Sequence, residues 1–315
     1  MSKQKIIVVA VGGNALYPPN SPSFEIQKDL IAKTCKKLAD IIEEGHRLII
    51  THGNGPQVGN LLIQNEKARR LVPSMPLDVL VAETQAQIGY LMQQSLQNAF
   101  NRRGMHRRVT PVVTQVVVDQ RDKAFKDPTK PVGPYYSKTR ATRLKSKYKW
   151  EMKLDRRGGY RRLVPSPKPI RIVEMASIRK LVSQRGSVVI AAGGGGVPVI
   201  ERRGKLVGIE AVIDKDLASS LLANELDART LLLVTDVRYV SLNFGKKNQA
   251  DLTEMTVDEA EGYMKEGHFP EGSMGPKMQA AIDFIRKEKR EAIITSIGHL
   301  KKALDRKDGT RVTLD

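Results

Sequence analysis

The stretch IIVVAVGGN, residues 6–14, runs six apolar residues into a glycine pair and an asparagine. A half-exposed strand would alternate apolar with polar positions. This one does not, so both its faces meet protein, as in a parallel sheet covered by helices on both sides. The design recurs along the chain. Residues 48–51 stop at His52-Gly53-Asn54-Gly55-Pro56, residues 187–192 at Gly193-Gly194-Gly195-Gly196, residues 231–234 at Thr235-Asp236, and residues 292–294 at Thr295-Ser296. Residues 112–118 predict one more strand in the first half.

Helical periodicity fills the gaps. Residues 24–44 place apolar side chains three and four apart, with Ser23 as N-cap and Gly45 as stop. Further helices are expected over 78–103, 172–185, 216–226, 256–266 and 276–289. Strand and helix therefore alternate, which predicts an α/β sandwich. One stretch breaks the pattern: residues 120–169 are rich in Lys, Arg, Pro and Gly, and are too long for a plain loop in a compact domain. They are expected to form a protruding subdomain.

At 315 residues the chain is large enough for two closely joined lobes, and 40% apolar with 28% charged residues is ordinary for a globular protein. No apolar run is long enough to span a bilayer, and the N-terminal residues show no cleavage pattern of a secretory leader, so a cytoplasmic location without membrane attachment is the expectation. Cys35, the single cysteine, lies among Leu30, Ile31, Leu38, Ile41 and Ile42 at helical spacing and reads as a buried structural thiol. The five histidines are not paired as metal ligands, and no protein-built metal site is expected. The formal charge of +19 attracts anions, nucleic acid and phosphorylated small molecules alike. Its concentration in residues 138–162, with few aromatics and no RNP-type sequence, favours a solvated basic face over a specific nucleic-acid site.

Chemistry is expected where strands of a parallel sheet end. Gly12-Gly13-Asn14, Gly53-Asn54-Gly55 and Gly193 to Gly196 would converge there, offering bare backbone N–H groups to phosphate oxygens. No Walker A loop occurs, no protein-kinase set is found, and Gly53, Gly55 and Gly59 miss the dinucleotide fingerprint by one residue. Phosphoryl transfer needs cations around the moving group. Lys215, flanked by Asp214 and Asp216, Lys277 behind Gly275-Pro276, and Lys130 in the proline-rich stretch are the candidates, with Asp214 placed to hold lysines charged and oriented.

Taken together, AVGGNAL (10–16), THGNGPQVG (51–59), DPTKPVGP (127–134), RRLVPSP (161–167), AAGGGGVPV (191–199), AVIDKDLAS (211–219), LLLVTDV (231–237) and EGHFPEGSMGPK (266–277) resemble the carbamate kinases of the amino-acid kinase superfamily. The resemblance runs nearly end to end. It implies a three-layer αβα sandwich with a central, mainly parallel sheet, a usual homodimer, and transfer between ATP and carbamate giving ADP and carbamoyl phosphate, with Mg2+ carried on the nucleotide phosphates. Residues 1–186, including the subdomain, would form an acceptor-binding lobe and residues 187–315 a nucleotide-binding lobe. Carried over by position, Gly12, Gly13 and Asn14 would face the transferring phosphoryl group, while Gly53, Asn54 and Gly55 hold the acceptor. Lys215 and Lys277 would contact the nucleotide phosphates, Asp214 would organise the lysines, and Lys130 would reach in from the subdomain. Gly193, Gly194, Gly195, Gly196, Thr235, Asp236, Val237, Met274 and Gly275 would surround the nucleotide. Many superfamily members carry a lysine before the first glycine pair; here that place is Ala10. Two other readings remain at this level: a superfamily kinase with another small acceptor, and a non-enzymatic anion or nucleic-acid binder.

Overall fold

The computed structural model describes residues 5–17, 23–155, 158–270, 272–286 and 290–314. Its main sheet has eight strands, in spatial order Glu254–Thr256, Thr310–Thr313, Glu291–Ser296, Thr230–Thr235, Ile6–Val11, Arg47–His52, Ser187–Ile190 and Arg108–Pro111. Every neighbouring pair is parallel except Glu291–Ser296 with Thr310–Thr313.

The central strand shows why the fold has three layers. Its alternate side chains enter two different cores: Val8 and Ala10 pack with Ala218, Leu222 and Ala281, whereas Ile7, Val9 and Val11 pack with Ile31, Leu38 and Phe100. Helices Met175–Ser183, Lys215–Glu225 and Met274–Ile285 supply the first layer, and Phe24–Glu43 and Leu77–Arg102 the second. Each fully buried aliphatic side chain in this strand contributes roughly 2 kcal/mol. A charged residue at any of these positions would remove a layer contact.

The expected helices are present within a few residues of their predicted ends; the last three positions of 276–289 lie outside the described residues. Of the expected strand 112–118 only Gln115–Val118 is a strand; residues 112–114 link it to Arg108–Pro111 of the main sheet, and the chain changes sheets at buried Thr114. Gln85 from helix Leu77–Arg102 holds that turn: its Oε1 accepts from Thr114 N at 2.9 Å and its Nε2 donates to Thr114 O at 3.0 Å. Strand Gln115–Val118 then joins Pro169–Ile172, Val197–Arg202 and Lys205–Gly208 in a second sheet.

Within the stretch expected to protrude, Lys130–Tyr136, Tyr160–Val164 and Glu151–Leu154 form a three-stranded sheet, joined by the helix Lys138–Tyr148. The lobe boundary read at 186/187 falls on strand Ser187–Ile190, which pairs with Arg47–His52 and Arg108–Pro111 in the first half of the sheet. Cys35 is buried, its Sγ near Met92 O, and burial pushes its thiol pKa up. No described helix is long and apolar enough to cross a membrane.

Candidate active site

Strand order reverses at Ile6–Val11, which leads by chain order to Arg47–His52 on one side and pairs with Thr230–Thr235 on the other. Loops leaving these strands diverge and leave a crevice. A cleft of about 990 Å³ opens there, lined on one side by Gly12, Gly13, Gly53, Asn54 and Gly55, and on the other by Thr235, Asp236, Val237 and Met274. Gly12 is bare for a local reason: a Cβ there would lie 2.9 Å from Val234 O of the adjacent strand. Gly53 in turn packs on the first loop, where a Cβ would lie 3.1 Å from Gly13 N. The two acceptor-side loops therefore form one surface.

Three lysines enter this cleft. Lys215 opens helix Lys215–Glu225, and its Nζ is 2.6 Å from Asp216 Oδ1. Lys277, from the first turn of helix Met274–Ile285, donates to Asp216 Oδ2 at 2.9 Å. Lys130, at the start of its subdomain strand, donates to Asp214 Oδ2 at 2.8 Å. Asp214 also caps the Lys215 helix, its Oδ1 accepting from Asp216 N at 2.9 Å.

The electrostatics follow from burial. Asp216 is buried, which alone would raise its pKa, but the charges of Lys215 and Lys277 reverse that and bring it down to about 2. For Lys277 burial works against the charged form, yet Asp216 outweighs it and the ammonium is raised. Lys215 goes the other way: burial, with the repulsion of Lys277, lowers its pKa despite Asp216. The result is a nearly dry pair of cations tied to one carboxylate, with a third cation opposite.

Three sequence assignments are refined. Asp216 is the carboxylate in direct contact with Lys215 and Lys277, whereas Asp214 contacts Lys130 and acts on the other two through its charge. The signal was the second aspartate of Asp214-Lys215-Asp216, whose place in the first helical turn aims it at Lys277. The four-glycine run is also different from its expected role. Gly193, Gly195 and Gly196 do not line the cleft; added Cβ atoms would lie 2.4 Å from His52 Nε2, 2.3 Å from Ile213 O and 2.3 Å from Val116 Cγ2. Only Gly194 reaches the cleft wall, beneath Asn54 of the acceptor loop. Gly275 is likewise turned away from the cleft, its N donating to Pro270 O at 2.9 Å. The backbone of Asn14 lies in a 3-10 turn, Gly13–Ala15, while its side chain lies outside the described residues.

The amino acid kinase family model matches residues 5–296. A carbamate kinase of Pyrococcus furiosus is 46% identical over 311 residues, covering 98% of this chain and 99% of that protein. One from Halobacterium salinarum is 47% identical over 305 residues, covering 97% of each. The solved carbamate kinase of Giardia lamblia bound to AMP-PNP superposes with a TM-score of 0.93 at 38% identity and covers 100% of both chains. The chain belongs to the carbamate kinases of the amino acid kinase family.

For a carbamate kinase the cleft has further walls, made by residues to which the sequence reading gave no role. Tyr239, Ser241, Phe244 and His268 line it beyond Val237, and Arg161 lines it from the subdomain. Phe244 is 63% exposed. Arg161 and His268 fall inside the motifs at 161–167 and 266–277, whereas Tyr239, Ser241 and Phe244 lie in no motif, and the 240–252 hairpin places the last two. Among the described residues no three His, Cys, Asp or Glu side chains gather in a way that could hold a metal ion. Both oxygens of Asp216 are taken by ammonium groups, and those of Asp214 by Lys130 and a backbone N–H.

Proposed function

We propose that this chain transfers a phosphoryl group reversibly between ATP and carbamate, giving ADP and carbamoyl phosphate, with the residues of the cleft in the following roles. Lys215 and Lys277 hold the nucleotide phosphates, and the surface made by Gly12, Gly13, Gly53, Asn54 and Gly55 receives carbamate. Lys130 leaves Asp214 to meet the transferring group between them. A carbamate oxygen forms the new O–P bond as the bond from the γ-phosphorus to the ADP oxygen breaks. Carbamate arrives as an anion, so no side chain has to remove a proton. Alignment and charge cancellation then supply the catalysis.

The observation that carries this reading is the row of ammonium groups: Lys215 and Lys277 on one carboxylate, Lys130 on another, facing two glycine loops across one cleft. The committed carboxylates fit a magnesium ion that comes with the nucleotide, held through phosphate oxygens. Bound there, it would neutralise phosphate charge. Ala10 supports carbamate over other acceptors, because its side chain is buried in the core and sends no cation to the phosphoryl site.

A homodimer is part of the proposal. Tyr90 and Val113 stand exposed beside the edge strand Arg108–Pro111, an apolar face with open backbone groups that a second copy would cover. A cytoplasmic setting follows from the use of ATP. The deciding experiment mixes the protein with ADP, magnesium and carbamoyl phosphate and measures ATP. A folded protein that makes none would overturn the reading.

A further inference from the structure

We infer that Arg162 and Glu210 are positioning residues that set the place of Lys130 over the cleft. This rests on the phosphotransfer reading above. Lys130 reaches the site from a small sheet that stands off the main body, so something must fix the height of that sheet. The segment 210–214 does this through every second residue.

At its front end, Asp214 Oδ2 accepts from Lys130 Nζ at 2.8 Å. In its middle, Val212 N donates to Pro165 O at 3.0 Å. At its rear end, the Glu210 carboxylate is ion-paired with Arg162. Three links spaced along five residues thus tie this connecting segment to the subdomain.

The rear link is anchored at both ends. Glu210 Oε1 also accepts from Leu77 N, the first residue of the long helix Leu77–Arg102, so the carboxylate is fixed to the main body. On the subdomain side the Arg162 guanidinium lies 4.2 Å from the centre of the Trp150 ring. Arg162 and Arg161 are successive on strand Tyr160–Val164 and serve opposite faces: Arg161 lines the cleft, whereas Arg162 lines a cavity behind the sheet. In the strand pairing Arg162 faces Val132 and Val164 faces Lys130. The arginine thus sits two residue pairs along the ladder from Lys130.

The front link cannot hold the subdomain during turnover. Once Lys130 turns to the phosphoryl group it gives up Asp214. Of the three links along 210–214 the rear and middle ones remain, beside the contacts of Tyr136 and Arg140 with Glu66 of helix Gly55–Ala68, and the rear one is made of side chains that do not line the cleft.

The test uses Glu210→Gln, which keeps an oxygen for Leu77 N and removes only the charge that Arg162 meets. Arg162→Gln serves as the second variant, and thermal unfolding confirms that each is folded. In the ATP-forming assay kcat is expected to fall roughly ten- to a hundred-fold, as for a reacting group misplaced by about 1 Å, with the Kd for ADP unchanged. Combining Glu210→Gln with Lys130→Ala is expected to add little to the loss from Lys130→Ala alone, because the carboxylate acts through that lysine. Full additivity of the two, or a rise in the ADP Kd that matches the fall in kcat, overturns the inference. So does wild-type kcat in folded Glu210→Gln. An inactive wild-type protein would instead defeat the functional reading itself, so the two failures are distinct.

Discussion

Lys277 Nζ lies 2.9 Å from Asp216 Oδ2, although the two residues are 61 positions apart in the chain. The same carboxylate holds Lys215 through its other oxygen, so one buried anion keeps two cations side by side where polyphosphate is expected. This contact joins helices Lys215–Glu225 and Met274–Ile285 at their N-terminal ends, where backbone N–H groups also favour anions.

Asp216→Asn leaves both ammonium groups without their shared counter-charge. Breaking a buried pair by removing one partner costs about 3–5 kcal/mol, so the urea midpoint is expected to fall clearly and ADP affinity with it. In the parent protein the folded pKa lies below the usual 3.8, so the carboxylate's contribution is complete above pH 3.8 and is lost as pH falls towards about 2. A variant with unaltered urea midpoint and ADP affinity would show that the pair does neither job.

Lys215 must be charged to hold phosphate, yet burial and Lys277 lower its pKa below the usual 10.5. As pH rises through that lowered value the ammonium is lost, so kcat/KM for ADP is expected to decline on the alkaline side before an ordinary lysine titrates. Arginine stays charged throughout. In Lys215→Arg, whatever its absolute rate, that alkaline decline is expected to disappear; an unmoved profile assigns the titration elsewhere.

Five strands of the main sheet were legible because each is apolar on both faces and ends in glycine or a small polar residue, a local signal; the short strands Arg108–Pro111, Glu254–Thr256 and Thr310–Thr313 carry no such run. The three lysines were legible from their setting among glycines, prolines and aspartates and from the family resemblance. What sequence did not show is tertiary. The helix Gly55–Ala68 hides behind a Gly-Pro start that reads as loop, although proline is well placed in a first helical turn. The turn at Thr114 depends on Gln85, 29 residues away. Choosing Asp216 over Asp214 depends on where Lys277 arrives.

His52 ends its strand fully enclosed, Nδ1 3.1 Å from Gly53 O, and burial lowers its pKa to about 4. The unfolded chain takes up this proton first, near 6.5, so the stability from a neutral His52 is complete above pH 6.5 and is lost as pH falls to about 4. The difference corresponds to about 3 kcal/mol. Urea midpoints at pH 7.5 and 4.5 are expected to differ more for the parent than for His52→Gln. Equal differences would remove His52 as the cause.

Lys130→Ala removes the cation that faces the transferring group while leaving Lys215, Lys277 and Asp216 in place. Turnover is expected to fall at least a hundred-fold, the scale of losing one preorganised stabilising group, roughly 3 kcal/mol or more, with ADP affinity nearly unchanged. Calorimetric titration with ADP beside the ATP-forming rate separates the two. Parallel loss of both would place Lys130 on the nucleotide rather than on the phosphoryl group.

Gly194→Ala decides which half of the site the glycine run serves. Its backbone has φ +64°, and an added Cβ would lie 2.1 Å from Asn54 Nδ2, the atom that donates to Thr84 Oγ1 at 3.0 Å. The methyl group would push Asn54 off Thr84 and distort the Gly53-Asn54-Gly55 loop. Gly204→Ala is the matched control, since its φ of +75° carries similar backbone strain but nothing lies within 4 Å of the new atom. That control is expected to cost about 1–2 kcal/mol of stability and leave catalysis alone. Gly194→Ala is expected to raise KM for carbamoyl phosphate well beyond the control while sparing the Kd for ADP. The reverse pattern, weakened ADP with normal carbamoyl phosphate, would return the run to the nucleotide side despite its packing under Asn54.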